Sequence, residues 1–257
     1  MNIHPLAIVE PGARLASGVQ VGPWSYIGND VVIGAGTIVH SHVVIKGPTR
    51  IGEHNEFFQF ASVGEACQDK KYKGEPTELV IGDRNVIREG CTIHRGTVQD
   101  KSLTSIGCDN LLMAYVHVAH DCIIGNHCIL ANLATLAGHV SIGDWAILGG
   151  GTMVHQFCQI GTHSMCAGGS IILKDVPAFV MAGGQPASAH GLNLEGLKRR
   201  GFTSETMMTL RRAYKAVYRQ GHTLEQALQL IQAEGLQDEH LLTFISSLQL
   251  SSRGIVR

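Results

Sequence analysis

IGCDNLLMAYVHVAHDCIIGNHCILANLATLAGHVSIGDWAILGGGTMVHQFCQIGTHSMCAGGSIIL, residues 106–173, carries an apolar residue at every sixth position: Ile106, Leu112, Val118, Ile124, Leu130, Leu136, Ile142, Leu148, Val154, Ile160, Cys166 and Ile172. A helix repeats its apolar stripe at about 3.6 residues and a strand at about 2. A period of six fits neither; it marks a solenoid in which each short turn stacks on the last. Gly follows the apolar residue at Gly107, Gly125, Gly143, Gly149 and Gly161. That spacing predicts sharp corners there, because glycine tolerates backbone angles other residues avoid. His117, His120, His139 and His155 fall in the same stretch.

The period reaches back almost to the first residue, through Ile3, Val9, Leu15, Val21, Ile27, Ile33, Val39, Ile45, Ile51, Phe57 and Val63. Three hexads make a triangular coil of 18 residues whose sides are very short strands, with the apolar residue pointing into the tube. After Val63 the ladder breaks at GEACQDKKYKGEPTE, residues 64–78, and resumes at Ile81, Ile87 and Ile93. Val63 and Ile81 are 18 residues apart, so the break reads as one whole coil with a side that bulges outward. A loop on a regular solenoid is a place to look for function. A second interruption, GTVQDKSLT at residues 96–104, adds one residue to the register before Ile106.

Beyond Ile172, residues 175–191 read as a linker or a cap over the open tube end. The period then turns helical over residues 192–200, 204–219 and 238–249. Thr223 and Gln226 form a capping box that opens a further helix, with Gly235 as its C-terminal cap. Two domains are expected, a hexapeptide-repeat solenoid over residues 1–189 and a small helical domain over 190–257. Helices this short need partners, so the module packs against the solenoid flank or a neighbouring subunit. Leu111, Met113, Tyr115 and Trp145 lie outside the ladder positions, and side-by-side association of several solenoids would bury them.

The formal net charge is −1, which argues against a nucleic-acid coat. Seven cysteines, an odd number without a CxxC, sit in or near core positions. They read as small buried hydrophobes in a reducing compartment. No basic-then-apolar leader and no run of 18 apolar residues occurs, so a cytoplasmic protein without a transmembrane segment is expected.

Residues 18 apart should stack. His120, Gly138 and Gln156 then form one column, and Asp121, His139 and Phe157 the next. An imidazole suits proton removal from a hydroxyl near neutral pH. A glycine N–H with no side chain in the way can face a developing oxyanion. Asp121 adjoins His120, although neighbours along a strand tend to face opposite ways. The same groups also fit structural hydrogen bonds at a surface or subunit contact. Histidines of adjacent solenoids also fit a zinc ion with one open position, though HxxH at His117 and His120 lacks the helix and the Glu of an HExxH site.

At HVAHDCIIGNHCILAN, residues 117–132, the sequence resembles the acyl-carrier-protein-dependent UDP-N-acetylglucosamine O-acyltransferases that begin lipid A synthesis. Matching segments are FQFASVGEACQDKKYKGEP (58–76), IHRGTVQ (93–99), DNLLMAYVHVAHDC (109–122), LAGHV (136–140), HQFCQIG (155–161) and NLEGLKRRGF (193–202), so the resemblance spans essentially the whole chain. It implies a left-handed parallel β-helix with a helical C-terminal domain, assembled as a homotrimer with sites in clefts between solenoids. The general rule for parallel crossovers would have given the opposite hand. It implies transfer of an (R)-3-hydroxyacyl group from acyl carrier protein to the glucosamine 3-hydroxyl of UDP-N-acetylglucosamine. His120 is then the general base, Asp121 its orienting partner and the Gly138 N–H the oxyanion donor. His117, His139, His155 and Gln156 would line the cleft. Gln68, Asp69 and Lys71 would meet the nucleotide sugar, Asn193 and Glu195 the uracil and ribose, and Arg199 and Arg200 the phosphates or the carrier. Arg211 and Arg212 would face the acidic carrier. Lys70 departs from the family, where an apolar residue is common. Gly168 matches the position that caps the acyl groove, and its missing side chain implies a longer acyl chain, of about fourteen carbons. No metal or other cofactor is implied. The rival readings are the related N-acyltransferase acting on a free-amine UDP-sugar, a hexapeptide zinc hydratase and a non-catalytic scaffold.

Overall fold

A computed structural model describes residues 2–233, 235 and 238–257 of the 257-residue chain. Strands of two to four residues succeed one another around a three-sided prism. Face A is an 11-stranded sheet, face B has nine strands and face C eight, and the chain visits them in the order A, B, C. Strands on each face run parallel, and the regular register is 18 residues, as in Ile123 opposite Ser141 and Thr135 opposite Met153. The ladder residues form the core as the period required: Ile27, Ile45, Leu112, Val118, Leu136 and Leu148 are fully buried. Ile3 is exposed, because no coil lies beneath the first to cover it.

A second inward column stands two residues before each ladder residue. It holds small side chains: Val116, Cys122, Cys128, Ala134, Val140 and Ala146 are all fully buried. Cys91 and Cys158 belong to it too, which explains the cysteines as core filling. All seven cysteines are free, and burial pushes the thiols of Cys122, Cys128 and Cys166 up to about 12. Asn55, Asn85 and Asn110 stack in this column. Each amide bridges to the next, with Asn85 Nδ2 donating to Asn55 Oδ1 at 3.0 Å and Asn110 Nδ2 to Asn85 Oδ1 at 2.9 Å. Such a ladder keeps buried polar groups satisfied while locking adjacent coils in register.

The corners are not made where the glycines stand. Gly107, Gly125, Gly143, Gly149 and Gly161 are absent from the positive-φ residues, which instead fall three positions after each ladder residue: Asp109, Tyr115, Asp121, His127, Leu133, His139 and Trp145. A left-handed conformation costs an ordinary residue about 1–2 kcal/mol. The corner N–H recovers part of this by donating to the corner carbonyl of the coil below, as from Trp145 to Asn126 at 2.8 Å. The glycines serve close approach. A Cβ on Gly143 would lie 2.6 Å from Thr162 N and 3.0 Å from Thr162 Cα, both backbone atoms. Gly143→Ala is therefore expected to destabilise the fold by about 1–3 kcal/mol. Thermal unfolding checks this, and an unchanged midpoint would contradict it.

The two interruptions are excursions from a corner, not coils. Val63 lies on face B opposite Ile93, thirty residues on, and Ile81 resumes on the next side, face C, opposite Ile51. The 64–78 break therefore inserts extra chain at the B–C edge rather than filling a whole coil. The 96–104 interruption leaves the same edge, with Ile93 on face B and Ile106 on face C. Because the extra chain leaves the prism, its length does not disturb the register.

Residues 175–191 form the cap. Val176, Ala178, Phe179 and Val180 are at most 1% exposed, and Val180–Gly184 pairs with Met165–Cys166 before turning back antiparallel through Ala187–Leu192. The boundary at 189/190 thus falls within that last strand. Helices α1 (Leu194–Arg199), α2 (Ser204–Tyr218), α3 (Leu224–Ala233) and α4 (Glu239–Gln249) follow. The capping box is reciprocal, with Gln226 N donating to Thr223 Oγ1 at 3.2 Å and Thr223 N to Gln226 Oε1 at 3.0 Å, and Gly235 has φ +64. The module packs on the solenoid flank: buried Asp175 accepts from Ser251 Oγ at 2.7 Å, and Ala178 N donates to Ser247 Oγ at 3.0 Å.

Trp145 is not open for association. It stacks on His127 at 4.1 Å, and the Arg200 guanidinium lies over it at 5.2 Å. The open apolar ridge runs instead along the A–B edge, through Leu6, Trp24, Phe60, Tyr115 and Leu133, each more than half exposed.

Candidate active site

Both excursions and the histidine columns share the B–C edge. His120 and Asp121 sit at its corner, after the strand His117–Val118. The strand rule that neighbours face opposite ways does not apply there. Asp121 has φ +59, which turns its carboxylate back beneath the preceding imidazole. His120 Nδ1 lies 2.9 Å from Asp121 Oδ2. The carboxylate is 1% exposed and also accepts from Thr97 N at 3.0 and 3.1 Å and from Thr97 Oγ1 at 2.6 Å. Burial pushes Asp121 up, but the bonds from His120 and Thr97 and the charge of His139 outweigh it, so its pKa lies below the usual carboxylate value. Ionised Asp121 accepts from Nδ1–H of His120, leaving Nε2 with its lone pair outward, as a base needs.

Gly138 stacks one coil above His120, as the column arithmetic required. A Cβ there would lie 2.7 Å from His120 Nε2 and 2.5 Å from Cε1. The glycine backbone therefore touches the reactive side of the imidazole. Its carbonyl accepts from Phe157 N at 3.1 Å, and its N–H finds no acceptor among the described residues. A base nitrogen beside a free N–H is what attack on a carbonyl requires.

His139 lies on the next coil, its ring edge-to-face with His120 at 5.0 Å and stacked on Phe157 at 4.4 Å. Its Nδ1 lies 2.9 Å from Asp100 Oδ2 and 4.0 Å from Asp121 Oδ2. His117 sits below, with Nδ1 2.7 Å from Thr92 Oγ1 and its ring edge-to-face with His94 at 5.1 Å. Burial, then the charge of His120, lowers the His117 pKa, and burial, then the charge of His117, pushes His94 down to about 4. His155 and Gln156 are exposed on the same edge one coil further up.

Gln68, Asp69 and Lys71 lie on the first excursion, which leaves face B at Glu65 and rejoins face C at Glu78. Asp69 closes a turn by accepting from Lys71 N at 2.9 Å, and Lys70 and Lys71 are exposed. Arg95 ties this loop down, donating to Gly64 O at 2.8 Å and to Tyr72 Oη at 3.3 Å.

The other expected residues stand elsewhere on the prism. Gly168 is at the A–B edge, beside Gly150. Asn193 is buried at the C–A edge, where it caps α1 and donates to His163 O at 2.9 Å. Arg200 is held there by Trp145 O at 3.1 Å and His163 Nδ1 at 3.3 Å. Glu195 and Arg199 on α1 are exposed. One chain thus gathers the base, its partner, the glycine and the 64–78 loop, but not the tail motif or Gly168.

Thr97, Asp100 and His94 escaped the sequence reading. The first two lie in an interruption with no period, and His94 follows a ladder residue as many silent positions do. Among the described residues, His120, Asp121 and His139 form the group able to hold a metal ion, whereas His117 does not join it. Asp121 already accepts three donors, which weakens it as a ligand.

The family described as Udp N-acetylglucosamine O-acyltransferase, Domain 2, matches residues 175–256, and the bacterial transferase hexapeptide family matches residues 12–47 and 103–138. The acyl-[acyl-carrier-protein]–UDP-N-acetylglucosamine O-acyltransferase of Stutzerimonas stutzeri is 61% identical over 255 residues, covering 99% of each chain. The chain belongs to this O-acyltransferase family. The crystal structure of the UDP-N-acetylglucosamine O-acyltransferase of Moraxella catarrhalis superposes with a TM-score of 0.98 at 49% identity, covering 100% of each chain. LpxA from Acinetobacter baumannii gives 0.97 at 56% identity, covering 99% of each. The coil is left-handed, as in these family structures, so the resemblance rather than the crossover rule gave its hand.

Proposed function

We propose that this chain transfers an (R)-3-hydroxyacyl group from acyl carrier protein to the 3-hydroxyl of UDP-N-acetylglucosamine, the first step of lipid A biosynthesis. The observation that carries it is the His120 Nδ1–Asp121 Oδ2 contact of 2.9 Å with the Gly138 backbone against the opposite side of the ring. His120 Nε2 takes the proton of the sugar hydroxyl as its oxygen attacks the thioester carbon. Negative charge develops on the carbonyl oxygen, and the Gly138 N–H stabilises it. The C–S bond then breaks, and the imidazolium returns its proton to the departing pantetheine sulfur. No enzyme thiol and no metal takes part, and the donor's phosphopantetheine is the only prosthetic group.

A homotrimer completes the site. The A–B ridge of Trp24, Phe60, Tyr115 and Leu133 is the surface a second copy covers. Association at the edges brings Gly168, and the tail residues Asn193, Glu195, Arg199 and Arg200, toward the B–C edge of a neighbour. Gln68, Asp69, Lys71, His117, His139, His155 and Gln156 then line the cleft for nucleotide sugar and acyl chain. The helical domain, with nine Lys/Arg against six Asp/Glu from residue 190 on, meets the acidic carrier in the cytoplasm. Arg211 and Arg212 on α2 are part of that face.

The test is to incubate purified protein with UDP-N-acetylglucosamine and carriers loaded with ten-, twelve- or fourteen-carbon 3-hydroxyacyl groups, with and without EDTA, and to read products by mass spectrometry. An O-acylated sugar unaffected by EDTA is expected. Product only from the free-amine sugar would transfer the chain to the N-acyltransferase class, and loss of activity with EDTA would restore the metal reading. Exposed Gly168 leaves the groove deep, so the longest donor is favoured. Gly168→Met is expected to shift preference to the ten-carbon donor by about 10-fold or more in relative kcat/KM. Unchanged relative rates would remove Gly168 from the groove.

A further inference from the structure

We propose that Thr97 and Asp100 are positioning residues, and that the segment carrying them clamps both imidazoles of the B–C edge; this rests on the acyl transfer proposed above. The segment lies between the strands Thr92–His94 and Leu103–Ile106. Thr97 grips Asp121 through its N–H at 3.0 Å and its hydroxyl at 2.6 Å, and Asp100 meets His139 Nδ1 at 2.9 Å. Two residues three apart therefore hold two residues eighteen apart, on successive coils. Thr104 adds a third hold, its Oγ1 accepting from Asp121 N at 2.8 Å.

The segment is itself fixed. Gly96 N donates to Glu78 O at 3.2 Å, and Ser102 N closes the excursion onto Thr97 O at 3.0 Å. A Cβ on Gly96 would lie 2.5 Å from the Ser102 carbonyl carbon, so the neck admits only glycine without shifting. Thr97 is buried, 3% exposed, so its hydroxyl bond to a carboxylate is shielded from water.

The arrangement has a chemical consequence. Each carboxylate takes the Nδ1–H of its imidazole and so presents Nε2 to the cleft. In His120 that nitrogen is the one beside Gly138. In His139 it is left for substrate. The rings touch edge-to-face at 5.0 Å, so a ring that swings free disturbs its neighbour. Positioning of this kind acts on rate through geometry, with no contact to substrate.

Steady-state kinetics of the full-length protein test this, with thermal unfolding run beside each variant. Thr97→Val keeps the shape and the N–H but removes the hydroxyl. It is expected to lower kcat about 10-fold with little change in the KM for nucleotide sugar, as loss of a hydrogen bond to a charged group does. Thr97→Ser restores the hydroxyl and most of the rate, which a packing role for the methyl would not. Asp100 is more exposed, so Asp100→Ala is expected to cost about 3-fold to 10-fold in kcat/KM. In a His139→Ala background the same change should cost nothing further, because Asp100 acts only through that ring. Thr97→Val at the wild-type rate, Thr97→Ser no better than Thr97→Val, or independent losses from Asp100→Ala and His139→Ala would each overturn the clamp. Wild-type protein that forms no product overturns the acyl transfer and the clamp together. Active wild type with indifferent variants overturns the clamp alone.

Discussion

His120→Ala is expected to lower kcat for acyl transfer by about 10²–10⁴-fold while the protein stays folded. The imidazole contributes one hydrogen bond to the fold, to Asp121, and it lies outside the inward columns of the coil. Asp121 keeps its donors from Thr97 when the ring is gone, so no buried carboxylate is orphaned. Stability should therefore barely move. The loss falls on kcat rather than on the KM for nucleotide sugar, because a base acts on the proton only as the hydroxyl attacks. A residual rate is expected from binding and from the Gly138 N–H, which remain. The measurement is steady-state kinetics paired with an unfolding midpoint. A rate within a few-fold of wild type in a folded variant would remove His120 as the base and leave the scaffold reading standing.

The prism was legible in the sequence because one residue in six carries it. Val118, Leu136 and Val154 each face the same interior, and no alternative packing gives that spacing. The columns were legible for the same reason, and they placed Gly138 against His120 before any coordinates. The corners were not. Their left-handed backbone is imposed by the coil on whatever residue stands there, whether Asp121, His139 or Trp145, so residue type carries no signal. The glycines misled because their role is close approach to the next coil, as at Gly143. Thr97 and Asp100 were invisible because their segment has no period to relate it to Asp121 and His139. The two interruptions were misjudged by counting, since a multiple of six in length says nothing about whether chain stays on the prism. Counting did hold what was needed for Gly168. Its separation of forty-eight from His120 is not a multiple of eighteen, which already puts the two on different edges and points to a second copy.

Gly138→Ala is the sharper test of the geometry, since it leaves every titratable group in place. The added methyl would meet His120 Cε1 at 2.5 Å and Nε2 at 2.7 Å, closer than real Cβ atoms come to anything. Gly138 is not among the positive-φ residues, so alanine fits its backbone without strain. The conflict falls on the His120 ring alone, and the ring must give way. Its routes are few. Nδ1 is held at 2.9 Å by Asp121, which Thr97 holds in turn, and one face of the ring abuts His139. A rotation large enough to clear the methyl breaks the contact with Asp121 and carries Nε2 away from the hydroxyl. Misplacement by about 1 Å can cost about 10²-fold, and that is the expected fall in kcat. The methyl also crowds the N–H that faces the oxyanion, so the two losses act on the same step and will not add. Stability should change little, because a side chain yields where backbone cannot. Gly143→Ala makes the contrast, with backbone contacts, a lowered unfolding midpoint and, far from the base, a rate per folded molecule near wild type. The pair separates the two uses of glycine in this solenoid. An unimpaired kcat in Gly138→Ala would mean that the imidazole works from another position than the one seen here, and the assignment of the Gly138 N–H would fall with it.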